Sequence, residues 1–290
     1  MERYVLKNQD SFNLVHIFEC GQCFRWNKEI DGSYTGVVNS AVINVKSEKG
    51  EIIFTGVSKS EKFENVIRRY FDLDTDYLKY KNKLSTVDEY LKESIEFGKG
   101  IRILNQDLWE CIISFIISAN NNIPRIKKII EKLSLNYGEK IEFNNKIYYT
   151  FPTPESLSKA SIEDLRSMGL GFRDKRIYNT TKMILEKEVD LEAIKNIENT
   201  NLMREILLKL DGVGPKVADC ILLFALKRVD VFPIDVWVRR VMNDLYIHKE
   251  NEEKVNKKEI QKLAEEKFLG LSGIAQQYLF YWKRESSKSA

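Results

Sequence analysis

The alternation of hydrophobic and polar positions changes character along the chain. Between Asn13 and about Gly56 the alternation has a period of two, which predicts short strands. The predicted strands are Cys23–Trp26, Tyr34–Val38, Ala41–Val45 and Glu51–Phe54. Short polar turns separate them and indicate an antiparallel meander. One face of this sheet is polar, so we expect the charged, helix-permissive segment 60–97 to cover the other face.

Helical spacing dominates after Leu104. The run from Asp107 to Ala119 is apolar on nearly every side, which predicts a central buried helix. Pro124 and Thr153-Pro154-Glu155 are typical of helix starts, and Gly169-Leu170-Gly171 is typical of a helix end. Further helices are predicted over residues 175–187, 201–210, 215–227, 235–246, 257–268 and 273–285.

These two patterns predict an α+β fold. We expect an N-terminal antiparallel sheet domain with covering helices over residues 1–104, followed by a mostly helical domain with a helix-hairpin-helix over residues 105–290. Hydrophobic residues make up 43% of the chain and charged residues 31%, which indicates a folded protein with a substantial core. The net charge of +3, from 46 basic and 43 acidic residues, excludes neither a nucleic-acid-binding protein nor a metabolic enzyme.

The segment 210–220 carries the most specific chemical pattern. Gly212 and Gly214 allow a tight hairpin whose backbone adopts left-handed angles and approaches another molecule closely. The amides that follow open a helix, and such unpaired N–H groups attract phosphate. Pro215 suits the first helical position, which places Lys216 in the first turn. The pattern predicts that DNA is held by its backbone, although such hairpins also occur in proteins that only bind DNA.

Lys216 and Asp235 are the candidate catalytic residues. The helix dipole and partial burial favour the neutral, nucleophilic amine at position 216. Cys220 lies one helical turn further on the same face, where it can line the same pocket. Asp235 suits the N-cap of the next helix, and a capping carboxylate can also stabilise positive charge on a sugar whose glycosidic bond breaks. The alternative for Lys216 is a surface lysine at a helix start.

Three further segments have both a structural and a functional interpretation. The run 120–122 (Asn-Asn-Asn) closes the predicted buried helix and precedes Arg125, while 171–173 (Gly-Phe-Arg) presents an aromatic ring beside an arginine, as in wedges between bases. Either segment can also be an ordinary turn. The run 20–23 (Cys-Gly-Gln-Cys) looks like half a zinc site. Since no second cysteine pair exists, a glycine turn before a strand is favoured.

At this point the residues match a known family. Over nearly its whole length the chain resembles the 8-oxoguanine DNA glycosylase/lyases of the helix-hairpin-helix superfamily. The hairpin alone identifies only the superfamily, and the asparagine triplet, the Gly-Phe-Arg turn and the N-terminal Gly-Gln segment together make the resemblance more specific. The matching segments are Cys20–Trp26, Ser118–Ile123, Met168–Arg173, Gly212–Cys220 and Ala275–Phe280.

The resemblance implies an enzyme that extrudes a damaged guanine from duplex DNA into a pocket. Lys216 would attack the anomeric carbon, displace the base and form an imine that permits β-elimination. Asp235 would stabilise the transition state and assist proton transfers.

The resemblance also implies four residues that bind the damaged base. Gly21 would offer a backbone carbonyl to the ring N–H that 8-oxoguanine carries and guanine lacks, a difference of about 1–3 kcal/mol. Cys220 and Phe280 would sandwich the base, and Gln276 would bond its Watson–Crick edge.

On the other strand, the resemblance implies that Asn120 fills the vacated space and Phe172 wedges the stack. Arg125 and Arg173 would read cytosine. Cutting opposite adenine would preserve a mutation, so a preference for cytosine belongs to the implied activity. Eukaryotic members usually carry tyrosine in place of Phe172, and the family often has histidine in place of Trp237. The first departure bears on opposite-base discrimination, and the second on a contact with a DNA phosphate or sugar.

Other protein classes fit the sequence less well. Iron–sulfur endonucleases of the superfamily need four cysteines near the C-terminus, and none follows Cys220. Glycosylases of alkylated bases generally lack the hairpin lysine. A non-catalytic DNA-binding protein has no use for Lys216 together with Asp235, and a small-molecule enzyme leaves the hairpin unexplained. The alkylated-base glycosylase and the DNA-binding protein are retained as alternatives.

The expected partners and location follow from the same reasoning. We expect a monomer that acts in base excision repair on duplex DNA containing 8-oxoguanine. No cofactor should be required, although the hairpin loop can hold a monovalent cation. The longest apolar run, 111–117, is too short to span a bilayer, and no signal core is present. We therefore expect no membrane contact and a cytoplasmic protein that is nucleoid-associated through DNA, with four reduced cysteines.

Overall fold

A five-stranded antiparallel sheet begins the fold. The computed structural model describes residues 1–7, 11–251 and 254–289. Its first strands are β1 (Glu2–Lys7), β2 (Trp26–Lys28), β3 (Tyr34–Val38), β4 (Ala41–Glu48) and β5 (Glu51–Ser58). Their order in the sheet is β1-β5-β4-β3-β2. All neighbours are antiparallel, so the predicted meander is confirmed from β3 to β5.

The two ends of the sheet differ from the prediction. Strand β1 precedes every predicted strand and pairs with β5. The predicted strand over 23–26 is wrong except at Trp26, because Cys23 and Phe24 are both buried and do not alternate. Trp26 lies directly over Gly36, where a Cβ atom would come within 2.4 Å of the indole ring. The glycine therefore makes room for a large ring on this face of the sheet.

One face of the sheet is covered by helix α2, Phe63–Tyr70, which follows the short helix α1, Leu14–Phe18. The buried residues of α2 pack in one cluster with Trp26 and Phe54 of the sheet. The predicted covering role is wrong for the rest of segment 60–97. Helices α3 (Tyr77–Ser85) and α4 (Glu89–Phe97) bury Leu84 and Leu91 in the helical core instead.

The prediction that the other face of the sheet is polar is wrong in part, because this face also carries buried apolar residues. A hairpin of β6 (Lys140–Phe143) and β7 (Lys146–Tyr149) packs Ile141 and Phe143 against Val37 and Val42. The prediction of helix alone after Leu104 missed this hairpin. Its strands have four residues each, which is too short for a clear periodic signal.

The remaining helices follow the apolar helix α5, Leu108–Ser118, which is buried as predicted and has Asp107 as its N-cap. They are α6 (Ile123–Tyr137), α7 (Pro154–Leu157), α8 (Ile162–Leu165), α9 (Asp174–Leu185), α10 (Leu191–Lys195), α11 (Thr200–Leu207), α12 (Pro215–Ala225), α13 (Val236–Met242), α14 (Lys257–Lys267) and α15 (Ser272–Ser289). Wider π-type turns, Arg166–Leu170 and Asn243–Ile247, extend α8 and α13. The predicted α+β class is therefore confirmed, and the helix starts at Pro124 and Pro154 are correct.

Candidate active site

The hairpin between α11 and α12 has one glycine in the left-handed region. Gly212 has φ +87°, and a Cβ there would lie 3.0 Å from the Arg176 side chain. Gly214 has φ −93° and ψ 179°, so the predicted left-handed conformation is wrong at this position. It is extended backbone that any residue adopts, and a Cβ there would meet nothing within 4 Å. The protein itself therefore requires glycine at 212 but not at 214.

Helix α9 holds this hairpin in place. The Thr180 hydroxyl donates to the Asp211 carbonyl at 2.7 Å, and the Asn179 amide donates to the Asp211 carboxylate at 2.7 Å. Gly214 and Pro215 are exposed, and the first turn of α12 has no side-chain cap. Its N–H groups are therefore oriented for an anion such as a DNA phosphate.

Lys216 lies in the first turn of α12, as predicted, and is half-buried. Its Nζ is 5.2 Å from the centroid of the Phe115 ring, which projects from α5. Phe115 in turn stacks on Phe224 at 5.5 Å and meets the edge of Phe24 at 5.6 Å. An aromatic wall therefore connects the amine with the segment that follows Gly21.

Lys216 and Asp235 both influence the pKa of Cys220. Burial raises the pKa of the Cys220 thiol to about 11. Lys216, which hydrogen-bonds the thiol, opposes this shift in pKa, while the nearby carboxylates of Asp219 and Asp235 add to it. The predicted lysine and aspartate therefore both act electrostatically on this thiol. Because that thiol is neutral at pH 7, it offers a polarisable apolar wall and not a competing nucleophile.

Asp235 is the N-cap of α13, as predicted. Its Oδ1 accepts the backbone N–H of Val238 at 2.8 Å, and the residue is half-buried. This hydrogen bond fixes one oxygen of the carboxylate at the helix terminus. A carboxylate fixed in this way can stabilise a cation that forms beside it.

The Gly21 loop is held by hydrogen bonds of the next residue, Gln22, which is fully buried. The Gln22 amide donates to the carbonyls of Ile17 at 2.9 Å and Arg102 at 2.8 Å, and accepts the N–H of Leu104 at 2.8 Å. Its backbone carbonyl accepts from Gln106 at 2.7 Å. The loop is therefore fixed in position before any ligand binds.

Gly21 faces the last helix, α15. Its φ is +87°, and a Cβ there would lie 3.3 Å from Nη1 of Arg284 and 3.5 Å from the Phe280 ring. On the same helix, Gln276 is 5% exposed and lines a crevice with Phe280, Val238 and other apolar residues of α13. The predicted base-binding residues of α15 thus lie between the Gly21 loop and the helix that Asp235 caps.

The predicted contacts to the second strand form a separate exposed region. Asn120 follows α5 in a left-handed conformation with φ +51° and is exposed. Asn121 donates to the Ile117 carbonyl at 3.1 Å, and Asn122 caps α6 by accepting the Arg125 N–H at 3.0 Å. The triplet is thus a helix end and a helix start, in which Asn120 and Asn122 are exposed and the Asn122 side chain is used as a cap.

Phe172 is 55% exposed and lies at the tip of a turn, whereas the adjacent Arg173 is 2% exposed. The Arg173 guanidinium donates to the carbonyls of Ala119 at 3.0 Å, Asn120 at 2.8 Å and Leu170 at 3.2 Å. Its carbon lies 4.2 Å from the centroid of the Phe172 ring. In this structure the guanidinium joins the two turns to each other.

Arg125 and Arg176 complete a positive surface around Phe172. Arg125 is exposed and donates to the Gly169 carbonyl at 3.0 Å, and the Arg176 guanidinium lies 5.2 Å from the Phe172 ring. Burial lowers the pKa of Arg173, and the charges of Arg125 and Arg176 lower it further. Since Arg176 also contacts the hairpin at Gly212, this surface continues directly into the predicted phosphate site.

Trp237 lies elsewhere, one residue inside α13. It is 43% exposed, and the Arg240 guanidinium lies 6.0 Å from its ring centroid. It therefore presents an aromatic surface beside the helix terminus that carries Asp235. This is the position at which the family often has histidine and at which a contact with a DNA sugar or phosphate is expected.

Two residues near the site were missed by sequence reasoning. Phe115 lies under the Lys216 amine, and Arg284 lies against Gly21. Phe115 is one of many apolar residues of a buried helix and has no distinguishing signal. Arg284 follows Phe280 by one helical turn, so the spacing in α15 was an available signal.

The cysteines and the acidic residues do not form a metal site in the part of the chain that the structure describes. The four cysteines are free and buried, and burial raises the pKa of Cys20 to about 11. Among the described helices, none combines the length and the apolar character needed to cross a lipid bilayer.

Two family descriptions match the chain. Residues 4–112 match the N-terminal domain of 8-oxoguanine DNA glycosylase, and residues 113–267 match the HhH-GPD superfamily of base excision DNA repair proteins. A probable N-glycosylase/DNA lyase of Methanothermobacter thermautotrophicus is 34% identical over 78% of this chain and 75% of that protein.

Solved structures agree with the sequence relatives. MBOgg1 in complex with a low affinity DNA ligand is 46% identical, with a TM-score of 0.92 over 98% of this chain and 96% of that one. The Clostridium acetobutylicum 8-oxoguanine glycosylase/lyase, in complex with double-stranded DNA containing cytosine opposite 8-oxoG, is 44% identical, with a TM-score of 0.91 over 98% and 95%.

An alkylated-base enzyme shares the architecture at lower identity. The 3-methyladenine DNA-glycosylase of Archaeoglobus fulgidus is 23% identical, with a TM-score of 0.77 over 97% of this chain and 98% of that one. This likeness concerns the fold alone. With both domains matched and the relatives named for the same activity, the chain belongs to the 8-oxoguanine DNA glycosylase/lyase family of the HhH-GPD superfamily and is an N-glycosylase/DNA lyase.

Proposed function

We propose that this enzyme removes 8-oxoguanine from duplex DNA, preferentially opposite cytosine, and then cuts the strand. The observation that carries the proposal is that Lys216 lies half-buried beside the Phe115 ring and Asp235 is fixed as the N-cap of α13, while Gly21 lies against Phe280 of α15. A protein that only binds DNA has no need for this arrangement. The enzyme acts as a monomer and needs no cofactor, and the hairpin can hold a monovalent cation.

The chemistry follows from the positions of the two catalytic residues. The Lys216 amine forms a bond to C1′ of the sugar while the bond from C1′ to the base breaks, and the base leaves with the electron pair and takes up a proton. Asp235 stabilises the positive charge that develops on the sugar. Loss of the amine proton and opening of the ring give an imine between Lys216 and C1′. Removal of a C2′ proton then expels the 3′ phosphate and cleaves the strand.

Recognition of the damaged base depends on Gly21, Gln276, Phe280 and Cys220. The Gly21 carbonyl accepts the ring N–H of 8-oxoguanine and faces a lone pair in guanine. The base stacks between Phe280 and the neutral Cys220 thiol, and Gln276 bonds its Watson–Crick edge. The rigid Gln22 hydrogen bonds support this role because they fix the loop that supplies the carbonyl.

Recognition of the opposite strand depends on the exposed turns. Phe172 enters the base stack, Asn120 occupies the space of the extruded base, and Arg125 binds cytosine directly. Arg173 binds cytosine by exchanging some of its present carbonyl partners. Gly212 and Gly214 bring the first turn of α12 to the phosphate backbone, and Trp237 contacts the sugar-phosphate chain near Asp235.

Borohydride trapping tests the catalytic assignment. The wild-type protein should form a covalent adduct with duplex DNA containing 8-oxoguanine opposite cytosine. Lys216→Gln should lose at least about a thousandfold in trapping while it still binds that duplex, because only the nucleophile is removed. The matched control is Lys258→Gln, which changes an exposed lysine at the same position in the first turn of α14 and should trap normally.

Two outcomes would contradict the proposal. Strand cutting by Lys216→Gln at the wild-type rate would remove the lysine from the mechanism. Excision rates that are equal opposite all four bases would remove the cytosine preference while leaving the chemistry intact.

A further inference from the structure

We propose that Arg284 is a positioning residue that sets the distance between the Gly21 loop and the Phe280 ring, and thereby the discrimination of 8-oxoguanine from guanine. This inference rests on the proposed function, because it concerns the same base pocket. The argument depends on what the Arg284 side chain touches, on what holds the loop elsewhere, and on how steeply a hydrogen bond depends on distance.

Arg284 contacts both walls of the pocket at once. Its Nη2 donates to the backbone carbonyl of Glu19, two residues before Gly21, and a Cβ on Gly21 would lie 3.3 Å from Nη1. Its guanidinium carbon lies 5.2 Å from the centroid of the Phe280 ring. One side chain therefore ties the carbonyl-bearing loop to the ring on which the base would stack.

Arg284 is itself restrained. Its Nε donates to Glu285 at 2.8 Å, its guanidinium lies 5.8 Å from the Tyr281 ring, and its side chain is only 14% exposed. A planar guanidinium held by a carboxylate on one side and by rings on another has little rotational freedom left. It can therefore transmit a fixed spacing and is not merely a surface cation near the loop.

The loop has a different anchor on each side of Gly21. After Gly21, the buried Gln22 bonds to backbone groups of Ile17, Arg102 and Leu104, all within the first 104 residues. Before Gly21, the Glu19 carbonyl bonds to Arg284 on α15, the helix that also carries Gln276 and Phe280. The second anchor determines where the loop lies relative to the base-binding helix.

The spacing matters because the carbonyl distinguishes two bases that differ at one ring nitrogen. A carbonyl accepts an N–H well only within about 2.7–3.2 Å. If the loop moves away, the lesion loses the bond and guanine loses the repulsion, so both effects reduce discrimination. Displacements of about 1 Å in a catalytic arrangement cost on the order of a hundredfold in rate.

The test compares two substrates in three variants. The substrates are a duplex with 8-oxoguanine opposite cytosine and the same duplex with a preformed abasic site, which has no base to recognise. The variants are Arg284→Met, Arg284→Lys and the control Arg68→Met. Arg68 lies on helix α2, where it is paired with Asp74. Single-turnover rates, guanine excision and melting temperatures are measured for each.

We expect Arg284→Met to lose about tenfold to a hundredfold in 8-oxoguanine excision and in selectivity over guanine, with abasic-site cleavage within twofold of wild type. Arg284→Lys should recover part of the loss, since an ammonium can donate to the Glu19 carbonyl but cannot lie flat on Phe280. Arg68→Met should match wild type on both substrates.

Other results overturn the inference. Unchanged 8-oxoguanine excision in Arg284→Met would show that the spacing does not depend on this residue. An equal loss on both substrates, with a lower melting temperature, would show a role in folding alone. If the wild-type protein cleaves abasic sites but leaves 8-oxoguanine in place, the proposed function fails, and this inference fails with it.

Discussion

The base pocket and the turns that face the opposite strand differ in how their polar groups are used. Around Gly21 the backbone is bonded on both sides, by Gln22 and by Arg284. Around Phe172 the aromatic ring is 55% exposed, and Arg173 uses its donors on protein carbonyls. The Gly21 loop is therefore already bonded on both sides, whereas Arg173 would have to give up existing bonds in order to bind cytosine.

This difference has a physical consequence for recognition. Donors and acceptors that are already fixed stabilise the correct ligand without further reorganisation. Groups that leave existing partners gain only the difference between two sets of bonds. We therefore infer that discrimination of the damaged base is stricter than discrimination of the base opposite.

The largest effect should come from adding a methyl group inside the pocket. Gly21→Ala should lose roughly a hundredfold in 8-oxoguanine excision, because the backbone must leave φ +87° and the new Cβ meets Arg284 and Phe280. Gly32→Ala is the matched control, since Gly32 has φ +82° and open space around it. Both variants should lose about 1 kcal/mol of unfolding free energy.

Urea titrations measure the unfolding free energy, and single-turnover assays measure 8-oxoguanine excision. Equal excision by the two alanine variants would show that backbone strain alone matters, and the claim of a preformed pocket would fail.

A smaller effect should separate the two arginines of the exposed turns. Arg173→Ala should lower the unfolding free energy by about 2 kcal/mol, because the carbonyls of Ala119, Asn120 and Leu170 lose their donor. Arg125→Ala should change it by less than about 0.5 kcal/mol, because its side chain is exposed. Denaturant midpoints compare the variants, and excision opposite each base gives the cytosine preference.

If Arg173→Ala is as stable as Arg125→Ala, the Arg173 guanidinium is not needed to join the turns. The contrast between the Gly21 loop and the turns around Phe172 would then weaken. If Arg125→Ala loses the cytosine preference and Arg173→Ala keeps it, this contrast would be sharper.

The smallest effect on recognition should come from pH. Burial raises the pKa of Glu110 to about 7, while Arg25, whose Nη1 lies 3.6 Å away, acts in the opposite direction and Asp107 adds to the rise. A raised carboxyl pKa contributes stability below the unfolded value of about 4.5 and loses it as the pH rises through 7. Ionisation of Glu110 should therefore lower the unfolding free energy by up to about 1.4 kcal/mol per pH unit in this interval.

Urea unfolding of wild type and Glu110→Gln between pH 5 and pH 8 isolates this contribution. The variant should show a flatter profile, with selectivity for 8-oxoguanine unchanged. Parallel profiles would mean that Glu110 titrates as if exposed. A change in selectivity would mean that α5, which carries Glu110 in its first turn and ends before Asn120, couples the proposed base pocket to the turns around Phe172.

Features set by neighbouring residues could be predicted from the sequence. The cap at Asp235, the helix start at Pro215 and the position of Lys216 in the first turn depend only on local backbone chemistry, and all are confirmed. The buried helix after Asp107 also has a strong signal, because every side of it is apolar.

Features set by distant residues could not be predicted. The partners of Arg173 lie partly on another turn, at Ala119 and Asn120, so nothing in its own segment showed that it would be buried. The conformation of Gly214 was also misjudged, because the glycine pair looked symmetrical while only Gly212 has a positive φ. The glycine at 214 remains explicable by the close approach of a phosphate, which stays a prediction.

The hairpin of β6 and β7 has a consequence for synthesis of the protein. Val37 and Val42 form one buried cluster with Ile141 and Phe143 of this hairpin. A chain emerging from the ribosome would form its first strands early and carry an uncovered apolar strip until residues 140–149 appear. During that interval the growing polypeptide presents a surface that chaperones bind and that neighbouring nascent chains can stick to.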